Sequence, residues 1–305
     1  MITMLPPAPL QPLHLDWLRA ARIDVAILRL DLIDPLISGN KWFKLKHHLR
    51  AARQAGAEGV ISLGGAHSNH LHALAAAGKR FGFATVGLVR GHPVQTPTML
   101  DVQAFGMALH WLGYAGYRAR HEPDFWAPWC ERYPQLHPVP EGGGGLDGAL
   151  GCAEIVSHAR SQLADLGWED YDGWWLACGT GTTLAGLVLA ESEGHKVYGA
   201  MAVPEGHGVA QNIQAILGKS HDQRYELLDA SRGGFAKADP ELMVFIAECE
   251  QQSGVPLEAL YTGKALLALR QEVDARRFAA GSRLIFVHTG GLQGKTAFVA
   301  GAGGR

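Results

Sequence analysis

The sequence predicts an α/β fold of two domains, each a mainly parallel sheet covered by helices, and three observations carry that prediction. Short apolar runs alternate with stretches of helical periodicity along most of the chain. Glycine-rich turns stand between an apolar run and the following helix at Gly64-Gly65 and at Gly179-Thr180-Gly181. At 305 residues the chain is long enough for two domains of ordinary size.

In order, residues 23–30 read as a strand, 31–40 as an irregular loop, and 42–55 as a helix in which Leu45, Leu49 and Ala52 share a face and Gly56 is the stop. Residues 59–63 are a buried-type strand, 71–81 a helix and 84–89 a strand. Residues 98–105 form a helix announced by Thr96-Pro97, and 108–112 a strand. From 114 to 140 the pattern breaks into aromatic, proline-rich sequence. The run Gly142-Gly143-Gly144-Gly145 that follows is a loop, either a flexible connector or a lip over a cleft. The alternation resumes with a helix over 146–166, a strand over 174–178, a helix over 184–190, a strand over 197–203, helices over 209–217, 240–253 and 263–277, and a last strand over 283–287.

Charged residues make up 18% of the chain and the formal charge is -2, so no basic field is available for nucleic acid or an anionic membrane; a small molecule is the expected partner. The proline-bearing start lacks the cationic and continuous apolar segments of a signal peptide, and no apolar run is long enough to span a bilayer, so a cytoplasmic protein is expected. Cys130, Cys152, Cys178 and Cys249 are scattered without metal-type pairing and read as reduced thiols.

Five polar segments carry the chemistry. Ser38-Gly39-Asn40-Lys41 delivers a lysine to a helix start, where the positive end of the helix dipole and burial both favour the neutral amine of a nucleophile; a solvated lysine beside a turn is the plainer reading of any single lysine. Gly179-Thr180-Gly181-Thr182-Thr183 joins close-approach glycines and hydroxyls to a helix N-terminus, an anion site suited to phosphate that matches neither the Walker nor the dinucleotide pattern. Gly64 to His70 places Ser68 and Asn69 at the carboxyl edge of a strand, where open α/β sheets bind ligands. His67, His70 and His72 lack an accompanying carboxylate, so no metal site is expected. Tyr261-Thr262-Gly263-Lys264 and His288-Thr289-Gly290-Gly291 put polar groups at a helix start and a strand end. In isolation each would be a cap or a turn; together the five suggest one shared cleft.

These motifs, in this order over about residues 25–295, resemble the pyridoxal-phosphate family of 1-aminocyclopropane-1-carboxylate deaminases and D-cysteine desulfhydrases, of fold type II, the tryptophan-synthase-β-like fold. The resemblance implies pyridoxal 5'-phosphate between a large domain (1–43 plus 159–305) and a small one (44–158), in a homodimer. It implies that Lys41 holds the cofactor as a Schiff base, that Asn69 meets the ring hydroxyl, and that Gly179, Thr180, Gly181, Thr182 and Thr183 hold the phosphate with Lys44 nearby, Thr289 facing the ring. Ser68 and Tyr261 would act on the substrate, a small amino acid also bounded by Asn69, His70 and Thr262.

The deaminases of that family resemble one another in a glutamate after the tyrosine, a leucine after the histidine and a tyrosine where this chain has Phe286; here the first two positions are Thr262 and Thr289. A hydroxyl partner leaves a pyridine nitrogen largely unprotonated and the ring a weaker electron sink, which favours β-elimination over cyclopropane opening. The expected reaction is therefore desulfhydrase-like, giving pyruvate, ammonia and sulfide, with ring opening to 2-oxobutyrate and a non-catalytic pyridoxal-phosphate- or nucleotide-binding protein as competing readings. The chain departs from the family pattern at Asp31-Leu32, at Ser38, which replaces a glycine, and at His67, which replaces a glutamine beside the substrate position.

Overall fold

A computed structural model describes residues 6–292 except 192–193, 219–220, 222 and 235–236. The ends of the larger proposed domain, 1–5 and 293–305, therefore lie outside the described residues. The elements run β1 (Leu10–Pro12), α1 (Asp16–Ala21), β2 (Asp24–Arg29), α2 (Asn40–Gln54), β3 (Gly59–Gly64), α3 (Asn69–Phe81), β4 (Ala84–Val89), α4 (Pro97–Ala104), β5 (Ala108–Trp111), α5 (Gly113–Arg118) and α6 (Ala127–Arg132). They continue with β6 (Leu136–Pro138), α7 (Gly145–Arg160), β7 (Gly173–Cys178), α8 (Thr182–Ala190), β8 (Lys196–Met201), α9 (Val209–Leu217), β9 (Tyr225–Asp229), α10 (Pro240–Ser253), α11 (Thr262–Asp274) and β10 (Arg283–His288).

Among the described residues the strands form two sheets, in the orders β1-β2-β10-β7-β8-β9 and β5-β4-β3-β6. Pairing is parallel throughout except for β1 on β2, where Pro12 faces Ala26 on an edge strand that tolerates a missing N–H. The central strand β10 shows why the sheets are parallel and covered. Leu284, Ile285, Phe286 and Val287 are all fully buried, so both faces are dry, and each such side chain contributes about 1.5–3 kcal/mol. Its register sets Ile285 against Ala26 on one side and Phe286 against Trp175 on the other. Helix starts follow their caps: Ser68, Thr96 and Asp239 each accept from the backbone N–H three residues on, and Pro97 and Pro240 take the first helical position.

Three helices tie the two sheets together through small residues. A Cβ on Gly151 of α7 would stand 3.0 Å from the Phe43 carbonyl carbon of α2, and one on Gly186 of α8 would stand 2.6 Å from Cys152 Cβ of α7. The head of α2 is thereby held close to the head of α8. No described helix is long and apolar enough to cross a membrane.

The structure corrects several sequence expectations. The irregular stretch over 114–140 contains α5, α6 and β6, and β6 completes the smaller sheet by pairing Val60 with His137. Its strands and helices are too short for either periodicity to show. The helix expected over 146–166 stops at Arg160, and a separate turn of 3-10 helix covers Leu163–Leu166. Strands β1 and β9 and helix α1 were not expected; β9 and β1 are sheet edges with only partial apolar patterning. The glycine run, expected as a loop, is a turn of 3-10 helix over Glu141–Gly143 followed by the start of α7 at Gly145, and none of its glycines lines the cavity at the carboxyl ends of the sheets. Gly143 is buried, with room for a Cβ only 3.2 Å from Lys44 Cβ and 3.4 Å from the His70 ring.

Candidate active site

A cavity of about 750 Å³ opens where the carboxyl ends of both sheets face each other. Lys41 enters it from the first turn of α2, and the preceding turn explains how. Gly39 has φ +77°, and a Cβ there would lie 2.9 Å from both the Thr289 carbonyl carbon and Gly290 Cα, so only glycine fits. The Gly39 N–H donates to Leu30 O (2.9 Å) and the Asn40 N–H to Thr289 O (3.1 Å), which docks the turn on the end of β10. The Asn40 side-chain amide donates to Thr183 Oγ1 at 2.9 Å and fixes the turn to α8 as well.

Lys44 follows three residues later on the same face of α2, buried, its Nζ 3.4 Å from Thr180 Oγ1. Burial, and then the neighbouring Lys44 charge, hold the Lys41 amine well below the ordinary lysine range; burial also lowers Lys44. A neutral amine beside a cationic one is the state a nucleophilic lysine needs.

The loop after β7 forms the opposite wall. Gly181 has φ +77° and backs onto Ile213 of α9, a Cβ there lying 2.7 Å from Ile213 Cδ1, while Thr180 and Thr182 share a 3.0 Å hydroxyl contact. The first amides of α8 have no partner within the helix. Gly179 lets the Tyr261 ring approach its backbone: a Cβ would be 3.0 Å from Tyr261 Cε1. Burial, then the charges of Glu258 and Glu141, raise the Tyr261 phenol, which therefore stays protonated.

Of the residues expected from sequence, Lys41, Lys44, Asn69, Gly179, Thr180, Gly181, Thr183, Tyr261 and Thr289 line this one cavity. Thr182 is buried behind it at the head of α8. Ser68 spends its hydroxyl on the cap of α3, accepting from the Leu71 N–H at 3.2 Å, and exposed His67 is off the cavity wall.

Three placements differ from expectation: Ser68, which caps α3 and is not on the cavity lining, and His70 and Thr262. His70 is buried with Nε2 2.8 Å from Ser62 Oγ; that hydroxyl donates to Val139 O at 2.8 Å, so His70 carries its proton on Nε2 and points away from the cavity wall. Burial and then the charge of Lys41 push it well below the ordinary histidine range. Thr262 is fully buried and tied through Oγ1 to Glu258 Oε1 at 3.1 Å. Its hydroxyl is engaged four residues back in the chain rather than in the cleft.

Several residues of the site were not found from sequence. Glu258 is a buried carboxylate that accepts from the N–H groups of Leu260 (2.6 Å), Tyr261 (2.9 Å) and Thr262 (2.6 Å), and so fixes the backbone that presents Tyr261. An acidic residue just ahead of a helix is the signal that could have shown it. Arg90, at the carboxyl end of β4, was findable from the strand-edge rule. Tyr117, Arg118, Arg120 and Glu141 lie in or beside the stretch whose elements are too short to read.

This donor set fits pyridoxal 5'-phosphate. The head of α8 with the Thr180 and Thr183 hydroxyls and Lys44 answers a dianionic phosphate, the glycine backbone leaves room for it, and Lys41 offers to a carbonyl carbon an amine whose pKa burial lowers. A lysine amine and an anion-binding helix head facing each other across two parallel sheets define a cofactor-dependent α/β enzyme site.

Comparison with known proteins carries this further. Residues 7–290 match the family described as pyridoxal-phosphate dependent enzyme. A Pyrococcus horikoshii protein provisionally named 1-aminocyclopropane-1-carboxylate deaminase is 30% identical over 289 residues, covering 89% of this chain and 85% of its own. The bifunctional D-cysteine desulfhydrase/1-aminocyclopropane-1-carboxylate deaminase of Arabidopsis thaliana is 26% identical, covering 88% of this chain and 72% of its own. The crystal structure of an ACC deaminase homologue superposes with a TM-score of 0.83 at 28% identity, over 99% of this chain and 94% of that one. The chain belongs to the pyridoxal-phosphate-dependent enzymes of fold type II, in the 1-aminocyclopropane-1-carboxylate deaminase and D-cysteine desulfhydrase family.

Proposed function

We propose that this protein is a lyase that removes a β-substituent from a small amino acid, D-cysteine or a close analogue, releasing pyruvate, ammonia and the substituent, sulfide in the case of D-cysteine. The observation that carries the choice is the distribution of carboxylates. Among the described residues Glu141 is the one carboxylate lining the cavity, and Tyr117 and Arg120 hold it on the wall of the smaller sheet. The wall of the larger sheet, where a ring nitrogen would lie, offers the Thr289 hydroxyl instead, and Phe286 below it is fully buried. Without an acid there, the strong electron withdrawal that cyclopropane opening demands is not supplied, while loss of an α-proton and a good leaving group remains feasible.

When bound, the cofactor supplies an electron sink for charge developing at the substrate α-carbon. In this reading the head of α8, with Thr180, Thr182, Thr183 and Lys44, anchors it, and Asn69 faces its ring hydroxyl. The N-terminal turn of α3, through Asn69, holds the substrate carboxylate, the Ser68 hydroxyl being committed to the helix cap. The Lys41 amine, its pKa lowered by burial and then by Lys44, accepts the α-proton. Tyr261, a protonated phenol packed on Gly179, would hand a proton to the leaving group. Closure of the two sheets' walls would exclude water, and a cytoplasmic homodimer is the assembly this reading carries with it.

Ring opening of 1-aminocyclopropane-1-carboxylate is the second reading, favoured by the names of the relatives. A product assay separates the two: pyruvate and sulfide from D-cysteine, against 2-oxobutyrate from the cyclopropane amino acid. Faster turnover of the latter overturns the choice. Absence of a visible absorption after incubation with pyridoxal phosphate, or its retention in Lys41→Ala, overturns the site assignment.

A further inference from the structure

The cavity holds more positive charge than a cofactor phosphate and one substrate carboxylate require. Its lining contains Lys41, Lys44, Arg90, Arg118 and Arg120 against the single carboxylate of Glu141. Lys44 lies at the head of α8, and Lys41 is held toward neutrality. Arg120 is neutralised, its Nε 2.7 Å from Glu141 Oε2 and its Nη1 3.2 Å from Tyr117 O. Among the described residues no carboxylate pairs with Arg90 or Arg118.

Both side chains are exposed at the mouth of the cavity, and the backbone that carries them is pinned. The Arg90 N–H donates to Gly64 O at 3.0 Å, which sets Arg90 beside the turn that carries Ser68 and Asn69. One residue on, Gly91 and Gly113 exchange backbone hydrogen bonds (3.2 and 3.0 Å), and Leu112 N–H reaches Val89 O at 2.9 Å. The start of α5 is thus stapled to the end of β4. The Arg90 guanidinium lies over the Tyr114 ring, 5.5 Å from its centroid, so one face is packed while its edge stays free to donate. Arg118 ends α5 and lines the same cavity.

We infer that Arg90 and Arg118 form a second anion subsite, and that the preferred substrate is an amino acid whose β-substituent ends in an oxyanion. The inference rests on the β-elimination reading and names its substrate class. The head of α3 takes the α-carboxylate, and the two guanidinium groups take the distal oxyanion, with the fork geometry that suits sulfo, phospho or carboxylate groups. The chemistry balances without an oxidant. The Cα–H bond breaks with its proton passing to the Lys41 amine, the Cβ–X bond breaks with its electron pair leaving on X, and one water per turnover yields pyruvate, ammonium, X⁻ and a proton. Two cations beside the departing group also stabilise the charge it gains, so the subsite acts on kcat as well as on KM.

The test compares pyruvate release by the cofactor-loaded enzyme from O-sulfoserine and from β-chloroalanine, each as both enantiomers. The expected result is a higher kcat/KM for the anionic substrate, and a fall in the anionic-to-neutral ratio on the order of ten- to a hundredfold in Arg90→Gln and Arg118→Gln, partly restored in Arg118→Lys. Binding gives a second readout: calorimetry should show 3-sulfopropanoate binding more tightly than butanoate, a preference lost in the double variant and weakened by salt. A neutral substrate that outpaces the anionic one, or variants that weaken cofactor capture while leaving the ratio intact, overturns the subsite. Failure of all four compounds to yield pyruvate overturns the β-elimination reading with it.

Discussion

Substituting Gly39 by alanine should disable the site without unfolding the protein, because this glycine sits at the joint between the Lys41 turn and the end of β10. Two penalties add. An L-residue at φ +77° and ψ -162°, a backbone region essentially reserved for glycine, carries roughly 1–3 kcal/mol of strain. The new methyl would also stand 2.9 Å from the Thr289 carbonyl carbon and from Gly290 Cα, and closer still to the Thr289 oxygen, against an ordinary contact of 3.4 Å or more. These are backbone atoms of the segment directly after β10, tied to the Lys41 turn through Asn40 N–H, rather than the end of a flexible side chain that could swing aside. The turn must withdraw by roughly 1 Å, breaking the Asn40 N–H to Thr289 O bond, and misplacement on that scale lowers turnover on the order of a hundredfold. Gly56→Ala is the matched control, since Gly56 has φ +70° and nothing within 4 Å of a Cβ. It should show the strain alone, a loss of about 1 kcal/mol in a denaturation series. Both variants should give a cooperative melt, but only Gly39→Ala should lose the visible absorption on incubation with pyridoxal phosphate or the catalysis that follows. If Gly39→Ala takes up cofactor and turns over as Gly56→Ala does, the turn is not what positions Lys41.

Two further outcomes follow from the titrating groups. The rate of pyridoxal phosphate capture should rise with pH and level off below the ordinary lysine range, tracking the neutral Lys41 amine. Lys44→Met should move that midpoint upward by removing the neighbouring charge, though not fully, because burial is the larger cause; an unmoved midpoint in stopped-flow measurements would show that the two amines do not interact. The second concerns the buried Glu191 carboxylate, which accepts from Tyr171 Oη and Trp174 Nε1 (each 2.6 Å), from Arg160, and faces His195 Nδ1 at 3.2 Å. Burial raises its pKa, but the hydrogen bonds from Tyr171, Trp174 and His195 and the Arg160 charge outweigh burial and leave it lowered from 4.5. A lowered carboxylate adds stability above its unfolded value and loses it as pH falls through the folded one, so urea midpoints should drop below about pH 4.5. Glu191→Gln should cost on the order of 3–5 kcal/mol at pH 7 and flatten that acid limb; an unchanged pH profile would remove Glu191 as its source.

The parts of the site legible in the sequence are those where the backbone itself is the functional group. Gly39, Gly179 and Gly181 are needed for close approach or positive φ, and such needs leave a residue type at a fixed position whatever the surroundings. Which side chain of a loop turns into the cleft is a different kind of fact, set by competition for hydrogen bonds between neighbours. Ser68 and Asn69 are adjacent, yet the first caps α3 and the second lines the cavity. Thr262 is one of the three positions, with Thr289 and Phe286, on which the sequence rests the choice between the two reactions, and its hydroxyl is captured by Glu258, a carboxylate that belongs to none of the motifs. The distinction between the reactions therefore shifts from Thr262 to Thr289 and to the position of Glu141, which is held on the opposite wall by Tyr117 and Arg120. That wall comes from the short elements between β5 and α7, where no periodicity accumulates. The part of the cavity built on long buried strands could be read in advance, and the part built on short pieces stapled to β4 could not. On the proposed reading that second part meets the substrate, so relatives that share the glycine and lysine motifs need not share one, and Arg90 and Arg118 are where this chain's own preference is to be sought.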